Sequence, residues 1–282
     1  MDFILLIKKI ILAIVQGIAE ILPISSSGHL LIFSELLQVD TNGLQLLIFL
    51  HFGSLVAMMI YYWKDIKDIL VSLWIFLFKH NREEKTLYYC SLFLKIVIAS
   101  IPAAIIGLIF GDIIDQYLIN LYFVFSFLIV TGCILLINKK LNGEKTLKEL
   151  KYHEAFFIGC FQGVGVLPGI SRSGSTIFGG RVNKLSNEEA AHFSFLMFLP
   201  VTAVSFLVEI IKNRHEIIQE YSNISNLLID LTTIIIAGII TFLSVKYLFK
   251  IIKKGKLHYF AYYCFALGII GIITCLILHY GF

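Results

Sequence analysis

A chain of 282 residues would ordinarily make one or two soluble domains, but this one is 58% hydrophobic and 15% charged, with a mean hydropathy of +0.87. No soluble core of that size hides so much apolar surface, so the solvent of this protein is a bilayer. Its net charge of +4 is gathered into a few loops and not interleaved with exposed aromatics, so it gives no argument for nucleic acid, and no nucleic-acid partner is expected.

Taken in chain order, residues 3–22 form an apolar stretch that starts like a signal peptide, with Lys8 and Lys9 near its beginning. No small-residue cleavage site follows, so removal is not expected. The stretch instead runs into the cluster Pro23–His29. A span is predicted at 44–62, flanked by Tyr61, Tyr62 and Trp63 as membrane-interface anchors. The run 69–78 is too short to cross and is expected to lie at the interface. Spans follow at 87–110 and 118–138, separated by a loop at 111–117 that carries Asp112 and Asp115. A second ambiguous stretch, 153–167, runs into Pro168–Thr176, and spans at 190–211, 228–250 and 258–280 complete the chain. Cys90, Cys133, Cys160, Cys264 and Cys275 show no metal-ligand spacing and read as small apolar residues.

Irregular backbone at membrane depth is tolerated only where protein or a watery cavity covers it, so both clusters are predicted to be tips of re-entrant helical hairpins. Six spans with two such hairpins place the lysine-rich loops after the first span, at 139–151 and at 246–256 on one side, the cytoplasmic one. Lys8, Lys9, Lys212 and Arg214 then fall on the outer side, where they fit less well. Asp230 and Glu209 are expected to face outer water.

The two clusters are copies. Gln16-Gly17 and Gln162-Gly163 open parallel stretches that lead through Leu-Pro to Ser25-Ser26-Ser27-Gly28 and to Ser171-Arg172-Ser173-Gly174; Ser173 lies 146 positions after Ser27. Three spans in each half force the second half to enter from the opposite face. The predicted fold is therefore an all-α integral membrane protein with six transmembrane helices and two re-entrant helical hairpins. Its repeats, 1–138 and 153–282, are inverted in topology, with the tips meeting near the midplane.

The chemistry sits at those tips. Gln16 and Glu20 share a helix face, and a carboxylate inside a membrane segment costs about 2.5–3.5 kcal/mol even on lenient insertion scales. Arg172 is its natural partner, and a guanidinium grips phosphate oxygens in a bidentate fork. Ser171, Ser173 and Thr176 add hydroxyls, and a helix opening near Gly174 would aim free amides at the same point. Ser25, Ser26 and Ser27 face them from the first tip, and His29 is a side chain suited to proton transfer. Read more plainly, the Ser/Gly clusters are helix-packing surfaces and Glu20–Arg172 a structural ion pair. His51 and His192 lie in spans without a visible partner motif and read as structural.

Two motifs carry a family resemblance. Gln16-Gly-x-x-Glu20-x-x-Pro23-Ile24-Ser25-Ser26-Ser27-Gly28-His29 and Pro168-Gly169-x-Ser171-Arg172-Ser173-Gly174-x-Thr176 resemble the two signatures of the undecaprenyl-diphosphate phosphatases, the bacitracin-resistance family, in the family's order. The departures are glutamine rather than glutamate at Gln16 and serine at Ser27, where threonine is common. The resemblance implies a multi-pass enzyme of the bacterial plasma membrane with its site open to the outer face. It would hydrolyse undecaprenyl diphosphate to undecaprenyl phosphate and inorganic phosphate, which recycles the cell-wall lipid carrier, and confer bacitracin resistance.

By position, the family's functional residues fall on Glu20, Ser26, His29, Ser171, Arg172, Ser173 and Thr176, with Gln16 in support. The expected catalytic set is Glu20, Ser26, His29 and Arg172. Gln16, Ser25, Ser27, Ser171, Ser173, Gly174 and Thr176 are expected to bind substrate. A divalent cation, magnesium or calcium, is implied by the resemblance, with Glu20 as its ligand. The expected partners are a polyprenyl diphosphate and the bilayer, with a homodimer left open. A transporter of lipid phosphates would need the same cradle but no nucleophile or proton shuttle.

Overall fold

A computed structural model of the chain describes residues 3–39, 45–80 and 82–280. The start of the 44–62 span and the outermost residues of both predicted repeats lie outside the described residues. At Asp112 and Asp115 the backbone alone is described.

Among the described residues there are twelve helices and no strand. The first hairpin is α1 (Phe3–Ala19) and α2 (Ser26–Leu37); α3 (Gln45–Tyr61), α4 (Trp63–Lys79), α5 (Glu84–Tyr117) and α6 (Leu121–Asn138) follow. The second hairpin is α7 (Tyr152–Val164) and α8 (Arg172–Val182). It leads into α9 (Asn187–Lys212), α10 (Arg214–Glu220), α11 (Ile224–Lys253) and α12 (Tyr259–Tyr280). Five helices, α5, α6, α9, α11 and α12, are long and apolar enough to cross a membrane. A sixth crossing exists only if α3 and α4, bent by 71° at Tyr62, count as one broken span. At 1.5 Å per residue the 13 residues of α7 reach about 20 Å, short of a ~30 Å hydrocarbon core.

Several local expectations are corrected. The predicted loop 111–117 is helical, because α5 runs unbroken to Tyr117 with no proline or glycine after Gly111 to stop it. The run 69–78 is the interior of α4, which starts at Trp63. Tyr62 is not an interface anchor: the break after α3 turns it inward, where it is buried and stacks on His192, ring centroids 5.4 Å apart. Asp230 does not face water. It is buried, pairs with Lys9 Nζ at 2.7 Å and accepts a hydrogen bond from the Tyr221 hydroxyl at 2.9 Å. Burial of a carboxylate demands such partners, and the pairing accounts for Lys9, one of the charges the topology rule left over.

The halves of the chain are interleaved. α1 packs on α11 and α7 on α5; α3 packs on both α11 and α9, and α6 on α12. The shared core runs through Leu92, Ile96 and Leu128 to Phe193, Phe198 and Val245. Pro102 in α5 and Pro200 in α9 each remove one backbone hydrogen bond beside residues that face the central cavity, Ala103 and Val201.

Candidate active site

The two hairpin turns are built alike. Ser25 stands just before α2 in the left-handed region, φ 71°, and its Oγ accepts from the Gly28 amide at 3.3 Å. Ser171 stands just before α8, and its Oγ accepts from the Gly174 amide at 3.1 Å. Both are N-caps, the role serine fills because its oxygen satisfies a first-turn amide. Each cap also lies near the serine two positions on: Ser25 Oγ is 3.4 Å from Ser27 Oγ, and Ser171 Oγ is 3.3 Å from Ser173 Oγ.

The turns grip each other. The Gly169 amide donates to Ser25 Oγ at 3.0 Å, and Ser173 Oγ donates to the Leu22 carbonyl at 3.5 Å. A Cβ on Gly28 would come 3.2 Å from Gly169 Cα, and a Cβ on Gly174 would come 3.3 Å from Pro23 Cβ. Only the absence of side chains lets the backbones approach this closely. Thr131 of α6 steadies the second turn, donating to the Gly169 carbonyl at 2.9 Å and accepting from the Ser171 amide at 3.0 Å.

Between the turns lies a cavity of about 350 Å³. Glu20 and Arg172 meet on its wall: Arg172 Nη2 donates to Glu20 Oε1 at 2.5 Å. Gln16 Nε2 donates to Glu20 Oε2 at 2.9 Å, His51 Nε2 is 3.6 Å from that oxygen, and Ser26 lines the cavity beside the carboxylate. Arg172 Nη1 donates to Thr202 Oγ1 at 3.1 Å, and its guanidinium lies 4.1 Å from the centre of the Phe198 ring. With five N–H donors in a fixed fork, the guanidinium keeps capacity for a ligand after these contacts. Ser26, Ser27, Arg172 and Ser173, the first residues of α2 and α8, all line the cavity. Two helix N-termini therefore open onto one space, a site built for an anion.

Of the site residues expected from sequence, the fold brings Glu20, Ser25, Ser26, Ser27, Ser171, Arg172 and Ser173 to the cavity wall. Gln16 stands directly behind Glu20, and Gly174 lies against Pro23. Two are placed differently. Thr176 turns back, donating to the Arg172 carbonyl at 2.8 Å and meeting Ser194 Oγ at 2.5 Å. His29 lies behind the first turn, its Nδ1 2.8 Å from the Ser25 carbonyl and its Nε2 2.7 Å from the Tyr263 hydroxyl, with the two rings stacked. The carbonyl can only accept, so Nδ1 carries the proton and Nε2 accepts from Tyr263; neither nitrogen is left for the cavity.

The imidazole on the wall is His51, whose Nδ1–H donates to the Leu47 carbonyl at 2.8 Å, leaving Nε2 toward Glu20. Sequence reasoning read it as structural because its partner is 31 residues away in the chain and no local motif marks it. Glu209 and Gln162 also line the cavity. Glu209 was expected in outer water, whereas Gln162 could have been found by its match to Gln16.

The fold and the site define an integral, multi-pass membrane protein with a cavity between two hairpin turns, lined by an arginine and two helix N-termini, inside its helical bundle. The family model described as bacitracin resistance protein BacA matches residues 9–270. An undecaprenyl-diphosphatase of Halothermothrix orenii is 39% identical over 94% of this chain and 96% of its own length. Others from Oceanobacillus iheyensis and Thermosipho africanus are 36% and 38% identical, each over 98% of its own length and over 96% and 94% of this chain. The chain belongs to the BacA family.

Proposed function

We propose that this protein hydrolyses undecaprenyl diphosphate to undecaprenyl phosphate and inorganic phosphate, recycling the lipid carrier of cell-wall synthesis and conferring bacitracin resistance. The observation that carries this reading is the Arg172–Glu20 contact, which joins the two motifs across one anion-accepting cavity. The relatives' shared name supports the substrate.

In this mechanism the terminal phosphate sits against Arg172 and the first-turn amides of α2 and α8, where the charge of a phosphoryl transition state spreads over the equatorial oxygens. Ser26 Oγ attacks phosphorus. Its proton passes to the Glu20 carboxylate on the same cavity wall, with His51 alongside, and the bond to the bridging oxygen breaks. The prenyl monophosphate leaves as an anion and needs no proton. Water then cleaves the phosphoserine and releases inorganic phosphate. His29 and Tyr263 hold the first turn in register for this step.

Among the described residues no cluster of three or more His, Cys, Asp or Glu is placed to hold a metal. Gln16 Oε1, however, is buried without a partner on the side chain whose Nε2 donates to Glu20, an oxygen donor of the kind a hard cation takes. Glu20 and Gln16 would hold magnesium or calcium there. Such an ion neutralises charge developing on the phosphate.

The finer architecture belongs to the same reading: six crossings, two re-entrant hairpins, and inverted repeats at 1–138 and 153–282 with the cavity open to the outer face. The reciprocal contacts support it. α1 packs on α11 as α7 packs on α5, and Gly28 meets Gly169 as Gly174 meets Pro23, with Pro23 and Gly169 separated by the same 146 positions as Ser27 and Ser173.

The experiment is phosphate release from prenyl diphosphates by the purified protein in detergent, with and without chelator. Detergent offers no second compartment, so a carrier would release none. Absence of release in the presence of magnesium or calcium would overturn the assignment.

A further inference from the structure

Gln162 is buried to within 1% of full enclosure, lines the cavity, and has no hydrogen-bond partner at either Oε1 or Nε2. Leaving a buried donor or acceptor unpaired costs about 1–3 kcal/mol, and buried polar groups in folded proteins are nearly always paired. Its match in the first half shows what is missing. Gln16 gives its Nε2 to Glu20 one helical turn later, but the residue one turn after Gln162 is Val166, which offers nothing. The helix carrying Gln162 runs directly against the start of α8: a Cβ on Gly165, three residues on, would come 2.7 Å from Arg172 Cα. Ser171, Arg172 and Ser173 share the wall with it.

We propose that Gln162 is a substrate-binding residue whose partner is the phosphate itself. Its Nε2 donates to a non-bridging oxygen of the group Arg172 grips, while Oε1 accepts from the water or phosphate hydroxyl beside it. The inference rests on the phosphatase reading and assigns a ligand contact within that site. The half-site that received glutamate at Glu20 handles the proton; the half that received valine at Val166 leaves its glutamine to the anion.

The test compares wild type with Gln162→Met, which keeps the length and shape of the side chain but removes both polar atoms. In ligand-free detergent solution the variant melts at or above the wild-type temperature, because an unpaired buried amide has gone. Its KM for a short-chain prenyl diphosphate and its inhibition constant for inorganic phosphate both rise about 10- to 100-fold, the range for a hydrogen bond to a charged group. Gln162→Glu keeps the shape and adds a titratable oxygen. Its activity relative to wild type falls as pH rises and the carboxylate forms against the phosphate, and returns in acid. Wild-type KM and wild-type phosphate inhibition in Gln162→Met would overturn the proposal. So would a melting temperature well below wild type, which would give the amide an internal partner. Loss of phosphate release by the wild type would overturn the phosphatase reading itself; a releasing wild type beside an unchanged variant would sink the Gln162 assignment alone.

Discussion

Arg172, at the start of α8, donates to Glu20, at the end of α1, across 2.5 Å and 152 positions of sequence. Removing one partner of a buried ion pair leaves an uncompensated charge and costs about 3–5 kcal/mol. Arg172→Ala should therefore melt well below wild type and release no phosphate. The double variant Glu20→Ala/Arg172→Ala should recover much of the stability and none of the activity. Thermal melting and phosphate release on the same samples separate the two effects, and an active Arg172→Ala would end the clamp role.

Ser26 should behave as a nucleophile. Ser26→Ala loses turnover while keeping KM within a few-fold, since Arg172 and the helix N-termini still hold the phosphate. Quenched reactions of the wild type should trap phosphate on Ser26, detectable by mass spectrometry. Near-normal turnover in Ser26→Ala would make water the attacking group.

The two histidines should part company. His51 is on the cavity wall beside Glu20, so His51→Ala should lower kcat by roughly 10²-fold, within what a positioned proton-transfer group contributes. Tyr263→Phe removes one hydrogen bond to His29 and should cost about 0.5–1.5 kcal/mol of stability while leaving kcat nearly intact. A large kcat loss in Tyr263→Phe with unchanged melting would place His29 in the chemistry.

Gly169 has φ 98°, and a Cβ there would come 2.4 Å from the Val124 carbonyl oxygen. Gly169→Ala should cost at least about 1–3 kcal/mol from backbone strain alone and displace the second turn from Ser25. Melting temperature and kcat/KM should fall together. A variant with wild-type melting would show that the turn yields more readily than its contacts indicate.

In the Lys9–Asp230 pair the carboxylate is buried and the lysine largely covered, and the pair lies outside the cavity. Lys9→Met should destabilise the protein by about 3–5 kcal/mol, and Lys9→Met/Asp230→Leu should restore most of the loss, because well-packed apolar residues replace a buried pair at little cost. Denaturation midpoints of the three proteins decide this.

Much of this protein is legible in the chain itself. Apolar run lengths require membrane helices, because only a bilayer tolerates so much apolar surface. The 146-position match of Ser27 with Ser173 locates both turns, and the charge cost at Glu20 calls for a partner such as Arg172. Those inferences rest on local composition and on pairs the two motifs mark. Tertiary packing alone decided which side chains those turns present to the cavity. It closed His29 behind Tyr263, brought His51 to Glu20, buried Asp230 against Lys9 and left Gln162 unpaired, since each outcome depends on the relative rotation of helices far apart in sequence.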